Sequence, residues 1–291
     1  MMVKNTAFSI KTTLNCGGTL LDLSTPQVMG VLNVTPDSFY DGGKYGDEKS
    51  LLQQVEKMVT EGAAIIDVGG MSTRPKAEMI AENEEIERAI PVVKDIKKHF
   101  PSVIISIDTF RSNVAKAAVN EGATIINDVS GGNIDAKMFE TVAKLKVPYI
   151  MMHMQGTPET MQDKPTYDNV VLDIIQIFKE KLFQLKLLGV NDVVIDPGFG
   201  FGKTPEHNFQ LLKSLGDFRI FDKPILAGLS RKTGMIKLAI GVKPADALNS
   251  TTVLNTIALL SGASILRVHD VKEAMEATKL VSFYNSVSLE L

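Results

Sequence analysis

The sequence predicts an α/β fold, a (β/α)8 TIM barrel with an N-terminal β-hairpin. Three observations predict it. Eight short apolar runs, rich in Val and Ile, recur along the 291 residues. Amphipathic helical patterns separate them. Almost every run ends on a residue that is costly to bury. Continuous rather than alternating apolar runs mark strands covered on both faces, as in parallel sheets. Repeated strand–helix units with right-handed crossovers build an open doubly wound sheet or a closed barrel, and eight units in this length favour the barrel.

Taken in order, the chain opens with residues 7–23 as a hairpin. Phe8-Ser-Ile-Lys11 and Leu20-Leu-Asp-Leu23 flank a turn containing Asn15 and Gly17-Gly18, and the hairpin is expected to cap the barrel bottom. The strand runs follow: Val28–Leu32, Ala64–Val68, Val103–Ile107, Thr124–Ile126, Pro148–Met152, Val193–Ile195, Pro224–Ala227 and Ser264–Val268. After the first run, Leu51, Leu52, Val55, Met58 and Val59 fall at helical spacing, with Gln53, Gln54, Glu56 and Lys57 outward. A second helix is predicted over 84–99, striped by Ile86, Ile90, Val93 and Ile96. The longest covers 168–188 and stops at Gly189. The tail, 283–291, reads as the end of the last helix. No linker or low-complexity tract interrupts residues 1–291, which read as one domain.

Composition narrows the function. The chain is 44% hydrophobic and 22% charged, with a net charge of −3 and no basic block, which argues against nucleic acid as a partner. Trp is absent and there are 5 Tyr, so no aromatic platform for single strands is expected. A lone Cys16 makes no internal disulfide, which fits a reducing, cytoplasmic compartment. It reads as a small, half-buried side chain in the turn before Gly17-Gly18 rather than a nucleophile. The first residues lack the apolar core of a signal peptide, and no run is long enough to span a bilayer, so no membrane partner is expected.

The polar residues carry the functional information. Asn33 follows the first run, Asp67 ends the second, and Asp108 follows the third. Asn127-Asp128, His153 and Asp196 follow the next three. Ser230-Arg231-Lys232 follow the seventh, and Arg267 and His269 close the eighth. In a parallel barrel these ends share one rim, where active sites are assembled. Isolated carboxylates beside a core are destabilising without partners, so their convergence points to a ligand. Asp67 and Asp128 read equally well as caps of the loops that follow. His153 fits a hydrogen-bonded structural histidine better than a ligand, and His99 and His207, in or beside helices, read as solvated. Three motifs fail on inspection. The segment 198–204 resembles a P-loop, but Pro197 occupies the first glycine position, and Lys203 replaces the third glycine of a dinucleotide fingerprint. In Gly228-Leu-Ser230-Arg-Lys232, Lys232 replaces the second glycine of a nucleophile elbow. No Cys or His cluster has zinc spacing.

Together the motifs resemble those of the dihydropteroate synthases. Met29-Gly-Val-Leu-Asn-Val-Thr-Pro-Asp-Ser-Phe39 with Asp41-Gly-Gly43 is similar to the first family signature, and Ile66-Asp-Val-Gly-Gly70 with Ser72-Thr-Arg-Pro75 to the second. Ser106-Ile-Asp-Thr109, Ile126-Asn-Asp128, Met152-His-Met-Gln-Gly156, Asp196-Pro-Gly198, Ser230-Arg-Lys232 and Arg267-Val-His-Asp270 continue it in order, over about residues 27 to 282. Met71 stands where the second signature commonly has Glu, and Lys76 where it commonly has Gly. Both departures bear on p-aminobenzoate contacts rather than on the pterin pocket.

The resemblance implies a transferase that joins 6-hydroxymethyl-7,8-dihydropterin diphosphate to p-aminobenzoate. It gives Asp196 the guanidine-like edge of the pterin, Asn127 its mixed edge, Asp108 a further ring nitrogen and Lys232 the ring acceptors, with Met152 on the ring face. Arg267 and His269, two residues apart on an extended chain, are expected to face the diphosphate. Asn33 is the implied ligand of a magnesium ion that keeps water and phosphate around it. Ser230 completes the wall near p-aminobenzoate. Loops carrying Asp37 and Thr73-Arg74-Pro75 are expected to close over the site, with Thr73, Arg74 and Pro75 shaping the p-aminobenzoate pocket. Pyrophosphate leaves first, stabilised by magnesium, Arg267 and His269, and the arylamine attacks the pterin cation. The family also implies a homodimer through the last helices. The rivals are a pterin-binding methyltransferase, which needs no pyrophosphate site, and a catalytically silent pterin-binding homologue.

Overall fold

A computed structural model of the chain describes residues 12–34, 44–72, 79–163, 165–241 and 246–288. Each predicted run becomes a parallel strand: β3 (Gln27–Asn33), β4 (Ile65–Gly69), β5 (Ile104–Asp108), β6 (Ile125–Asp128), β7 (Tyr149–Met152), β8 (Val193–Asp196), β9 (Leu226–Ala227) and β10 (Ile265–Val268). They lie in the order β8-β7-β6-β5-β4-β3-β10-β9. The two ends of the sheet meet where Ile195 bridges Ile225 in parallel and the Ile195 N–H donates to the Pro224 carbonyl at 3.0 Å. The sheet is thereby curled into a barrel.

The connecting helices are α1 (Lys44–Thr60), α2 (Glu82–His99), α3 (Ser112–Asn120), α4 (Met138–Leu145), α5 (Val170–Leu187), α6 (Pro205–Lys213), α7 (Thr233–Ile240), α8 (Leu248–Leu260) and α9 (Val271–Ser286). Their ends follow local chemistry. In α2, Glu82, Glu84 and Glu85 occupy the positive first turn and Lys97, Lys98 and His99 the negative last turn. In α5, the Asn169 side chain accepts from the Val171 and Leu172 N–H groups, and Gly189 at φ +79° ends the helix as expected. The last helix stops at Ser286, short of the expected tail. No helix among the described residues is long and apolar enough to cross a membrane.

Side chains alternate across each strand, and here the alternation separates two cores. One set, including Val28, Leu32, Val68, Ile105, Ile107 and Ile126, faces out and packs with the helices. The other set faces in. Its lowest layer, Met29, Ile65, Ile104, Ile125, Ile150, Val194, Leu226 and Ile265, forms a separate cluster with Leu14, Cys16, Leu21 and Leu23 of the hairpin. The hairpin does cap the barrel bottom. Its arms are β1 (Thr13–Cys16) and β2 (Thr19–Asp22), so the first arm lies nearer the turn than predicted; residues 8–11 fall outside the described region. The turn sets this register. Gly17 and Gly18 both take positive φ, +62° and +94°, which allows a two-residue loop that pairs Cys16 with Thr19. Cys16 is thus the end of a strand, 2% exposed rather than half-buried. Burial, with Asp192 adding, pushes its thiol up to about 12, far from a nucleophile's range.

Candidate active site

Two residues above the apolar bottom layer, the same inward parity brings Asp67 on β4, Ser106 on β5, Asn127 on β6, Met152 on β7, Asp196 on β8 and Arg267 on β10 into one interior. Asn33 and Asp108 stand one step further up, at the ends of β3 and β5. Asp67, Asp108, Asn127 and Asp196 are all buried. The predicted convergence is therefore present, and Arg267 is its centre. Its Nε donates to Asp67 Oδ2 at 2.7 Å, and its Nη2 to Asp108 Oδ2 at 2.7 Å. Asn127 Nδ2 donates to the same Asp67 oxygen at 3.0 Å. The planar fork holds the two carboxylates in fixed directions, which a freely rotating ammonium does not.

The wall opposite holds the second charge pair. Asp196 Oδ1 accepts the Gly198 N–H at 2.7 Å. The Lys232 ammonium lies 4.3 Å above the Phe201 ring. Ser230 accepts the His269 N–H at 3.2 Å, and its hydroxyl lies 3.1 Å from His269 Nδ1. Next to them, Arg231 forks onto both oxygens of Asp270, at 2.9 and 2.8 Å, tying the β9 loop to the start of α9. The expectation that Arg267 and His269 aim alike meets a division of labour. Both follow the inward parity, but Arg267 is committed to two acids and His269 to Ser230.

Burial shapes the electrostatics. It pushes Asp196 up to about 6, against the Gly198 N–H and the Lys232 charge. It pushes Lys232 down to about 8, with Arg267 adding and Asp196 opposing. Burial also raises Asp108, against the pull of Arg267. Three buried oxygens on neighbouring strands, Asp67 Oδ1, Ser106 Oγ and Asp108 Oδ1, have no protein hydrogen-bond partner. Such groups cost about 1–3 kcal/mol each. Their concentration in one interior marks it as built for a ligand with several N–H donors.

Residues that the sequence left open are now placed. Asp67 belongs to the site, as the hub of Arg267 and Asn127. Asp128 has the opposite parity. It faces out, accepts from Ser130, Gly132 and the Tyr149 hydroxyl, and caps its loop. His153 is structural: the buried Lys203 ammonium stands 3.0 Å from its Nδ1. His207 is half-buried rather than fully solvated. Its ring closes a capping box with Thr204 at the start of α6 and packs edge-on to Tyr167. Met71 is 4% exposed and packs with Phe110, Val129, Met152, Met154 and Met161 at the mouth, where an apolar side chain fits. Asp37, Thr73, Arg74, Pro75 and Lys76 lie outside the described residues. Sequence reading missed Lys203 and overlooked the hub role of Asp67; strand parity, counted from the apolar residues, would have separated Asp67 from Asp128.

A parallel barrel whose mouth sets acids, an amide and two cations around one interior has the arrangement of an enzyme site for a polar ligand. The pattern of the pterin binding enzyme family matches residues 29–269. A dihydropteroate synthase of Escherichia coli (strain K12) is 44% identical over 266 residues, 91% of this chain and 93% of the relative. The crystal structure of the Yersinia pestis dihydropteroate synthase with a sulfonamide drug complex superposes with a TM-score of 0.88 at 41% identity, covering 94% of this chain and 100% of the other. The Xanthomonas albilineans dihydropteroate synthase in complex with 7,8-dihydropteroate superposes with a TM-score of 0.85 at 34% identity, covering 95% and 100%. The chain belongs to the pterin binding enzymes and, within them, to the dihydropteroate synthases.

Proposed function

We propose that the barrel mouth condenses 6-hydroxymethyl-7,8-dihydropterin diphosphate with p-aminobenzoate, giving 7,8-dihydropteroate and pyrophosphate, as a transferase of folate biosynthesis. The observation that carries this reading is the buried Asp108, Asn127 and Asp196, with the half-buried Lys232, around one interior. The pterin offers paired N–H donors on its guanidine-like edge and acceptors beside them. Asp196 takes the donors through the oxygen that Gly198 does not hold, Asn127 the mixed edge and Asp108 a further ring N–H through its unpartnered Oδ1. Lys232 donates to the ring acceptors, and Met152 packs on the ring face. A pocket made of several buried polar groups discriminates strongly against analogues lacking one of them.

In the reaction the methylene C–O bond breaks, pyrophosphate leaves with the electron pair, and the arylamine nitrogen forms the C–N bond and then loses a proton. Arg267, whose side chain is 22% exposed beyond its two acids, and His269 with Ser230 supply the positive, donating side toward the leaving group. The donor set suits a diphosphate-bound magnesium ion rather than a protein cage. Among the described residues no group of three or more His, Cys, Asp or Glu could hold a metal, and one amide oxygen, from Asn33, suffices for an ion that keeps water and phosphate. Bound there, magnesium would neutralise charge developing on the pyrophosphate. Asp37, Thr73, Arg74 and Pro75, outside the described residues, are the further side chains assigned to the reaction, with Thr73, Arg74 and Pro75 on the p-aminobenzoate side. The sulfonamide complex of the Yersinia pestis relative supports a pocket that accepts arylamine mimics. The chain acts as one domain in the cytoplasm, consistent with its single, unpaired cysteine. It dimerises through α8 and α9, which pack together and expose Val253, Leu260, Leu280, Phe283 and Tyr284.

Pyrophosphate release is the test, measured with the pterin diphosphate in the presence and absence of p-aminobenzoate and of magnesium. Sustained release is expected only with both, because the arylamine must trap the pterin cation at each turnover. Release that proceeds undiminished without either overturns the reading.

A further inference from the structure

Among the described residues, Lys203 is the buried ammonium near the mouth that the proposed reaction does not use. It is 2% exposed. Its Nζ donates to the carbonyls of Gly198 at 2.9 Å, Phe201 at 2.9 Å and His153 at 3.2 Å, and lies 3.0 Å from His153 Nδ1. Four acceptors thus surround three N–H donors, with His153 held neutral as an acceptor. The loop it gathers, 198–202, alternates glycine with phenylalanine. Gly198, Gly200 and Gly202 take φ of +72°, +82° and +61°. Each is also crowded: a Cβ would run into the His153 carbonyl at 198, the Lys232 side chain at 200 and the Gln155 backbone at 202. A chain with three such glycines has many conformations to lose, so its shape must be imposed by contacts. Burial pushes the Lys203 ammonium down to about 7, against the pull of Asp196, and it is the geometry of its acceptors that makes it a clamp: Nζ links both ends of the loop to the end of β7.

What that loop presents to the mouth matters. Phe199 points into the core at 1% exposure, while Phe201 turns the other way and lies under the Lys232 ammonium. Gly198 also donates to Asp196. We infer that Lys203 is a positioning residue for the coupling reaction, holding Phe201 beneath Lys232 and the Gly198 turn against Asp196 so that both pterin-reading side chains keep their geometry. This rests on the reading of the mouth as a pterin site. Lys203 itself touches no substrate.

The test uses the full chain and its Lys203→Ala variant. Binding of 6-hydroxymethylpterin is followed by calorimetry, KM is measured for each substrate, and thermal stability is recorded alongside. The variant should bind the pterin about tenfold more weakly, the scale of one lost charge-assisted contact, with the p-aminobenzoate KM little changed. Because the cavity left behind is lined with carbonyls, n-propylammonium at millimolar concentration should restore part of the pterin affinity, and tetramethylammonium, which has no N–H, should not. Phe201→Leu keeps the Lys203 contacts but removes the ring under Lys232, and should show the same pterin defect with near-parental stability. Parental pterin affinity in Lys203→Ala, or a loss of stability alone, overturns the inference. If that variant does not fold, unaltered pterin affinity in Phe201→Leu overturns it. A parent chain that binds no pterin overturns the functional reading itself, and this inference with it.

Discussion

Asp67→Asn probes the hub of the mouth. Asp67 is fully buried, and one of its oxygens accepts from both Arg267 Nε and Asn127 Nδ2. Asn has almost the same shape, so the substitution opens no cavity and removes only the charge and the acceptor pattern. Removing one partner of a buried ion pair costs about 3–5 kcal/mol. Two features place this case at the low end, near about 3 kcal/mol: Arg267 keeps Asp108 at 2.7 Å, and its side chain is 22% exposed. In a chain of this size each kcal/mol moves the midpoint by roughly 2–4 °C, so a loss of about 6–12 °C is expected. Pterin affinity should fall too, since Asn127 loses the contact that orients its amide. Thermal unfolding followed by circular dichroism, with pterin calorimetry on the folded variant, reads both. Adding Arg267→Gln to the variant should recover part of the lost stability, because the guanidinium is then no longer under-compensated. A midpoint within about 1 °C of the parent, with unchanged pterin binding, would refute the claim that Asp67 holds the site together.

Pterin affinity should follow a bell in pH. Asp196, raised by burial to about 6, must be ionised to accept the ring donors, so affinity is lost as pH falls through about 6. Lys232, lowered to about 8, must keep its proton to donate, so affinity is lost as pH rises through about 8. Calorimetry across pH 5 to 9 should show a maximum between about 7 and 8, the Asp196→Asn variant should keep only the part of the acid limb that Asp108, raised to about 7, contributes, and a flat profile would exclude these assignments. Sedimentation should show a dimer that Leu280→Asp with Phe283→Asp converts to a folded monomer, since these side chains are 71% and 72% exposed on α9; a monomeric parent removes the interface.

What the sequence revealed, and what it hid, follows from the range of the interactions. The eight strands were legible because burial on both faces leaves continuous Val- and Ile-rich runs such as Val103–Ile107. The convergence of Asp108, Asn127 and Asp196 followed from topology alone, since parallel strands deliver their ends to one rim. The expected turn, which included Asn15, is wider than the observed one: Asn15 reads as a turn residue, yet the two-residue Gly17-Gly18 turn sets a register that pairs Asn15 with Leu20. His207 is only partly solvated because its ring also serves a backbone cap, and Lys203 leaves no local signal because its His153 partner is 50 residues away. The ion pair of Asp67 with Arg267 spans 200 residues and leaves no local trace.

The same parity that places the site also explains how the barrel tolerates it. Every functional strand carries its apolar residues outward against the helices and its lower inward residues against the hairpin plug, so two apolar clusters hold the barrel independently of the mouth. The upper interior can then keep Asp67 Oδ1, Ser106 Oγ and Asp108 Oδ1 without protein partners, at about 1–3 kcal/mol each, because the fold does not depend on satisfying them. A ligand that brings N–H donors into that space removes the penalty as it binds. An apolar replacement there, such as Ser106→Ala, is therefore expected to raise the unfolding midpoint followed by circular dichroism while weakening nothing in the strand register, and a lowered midpoint would refute this account.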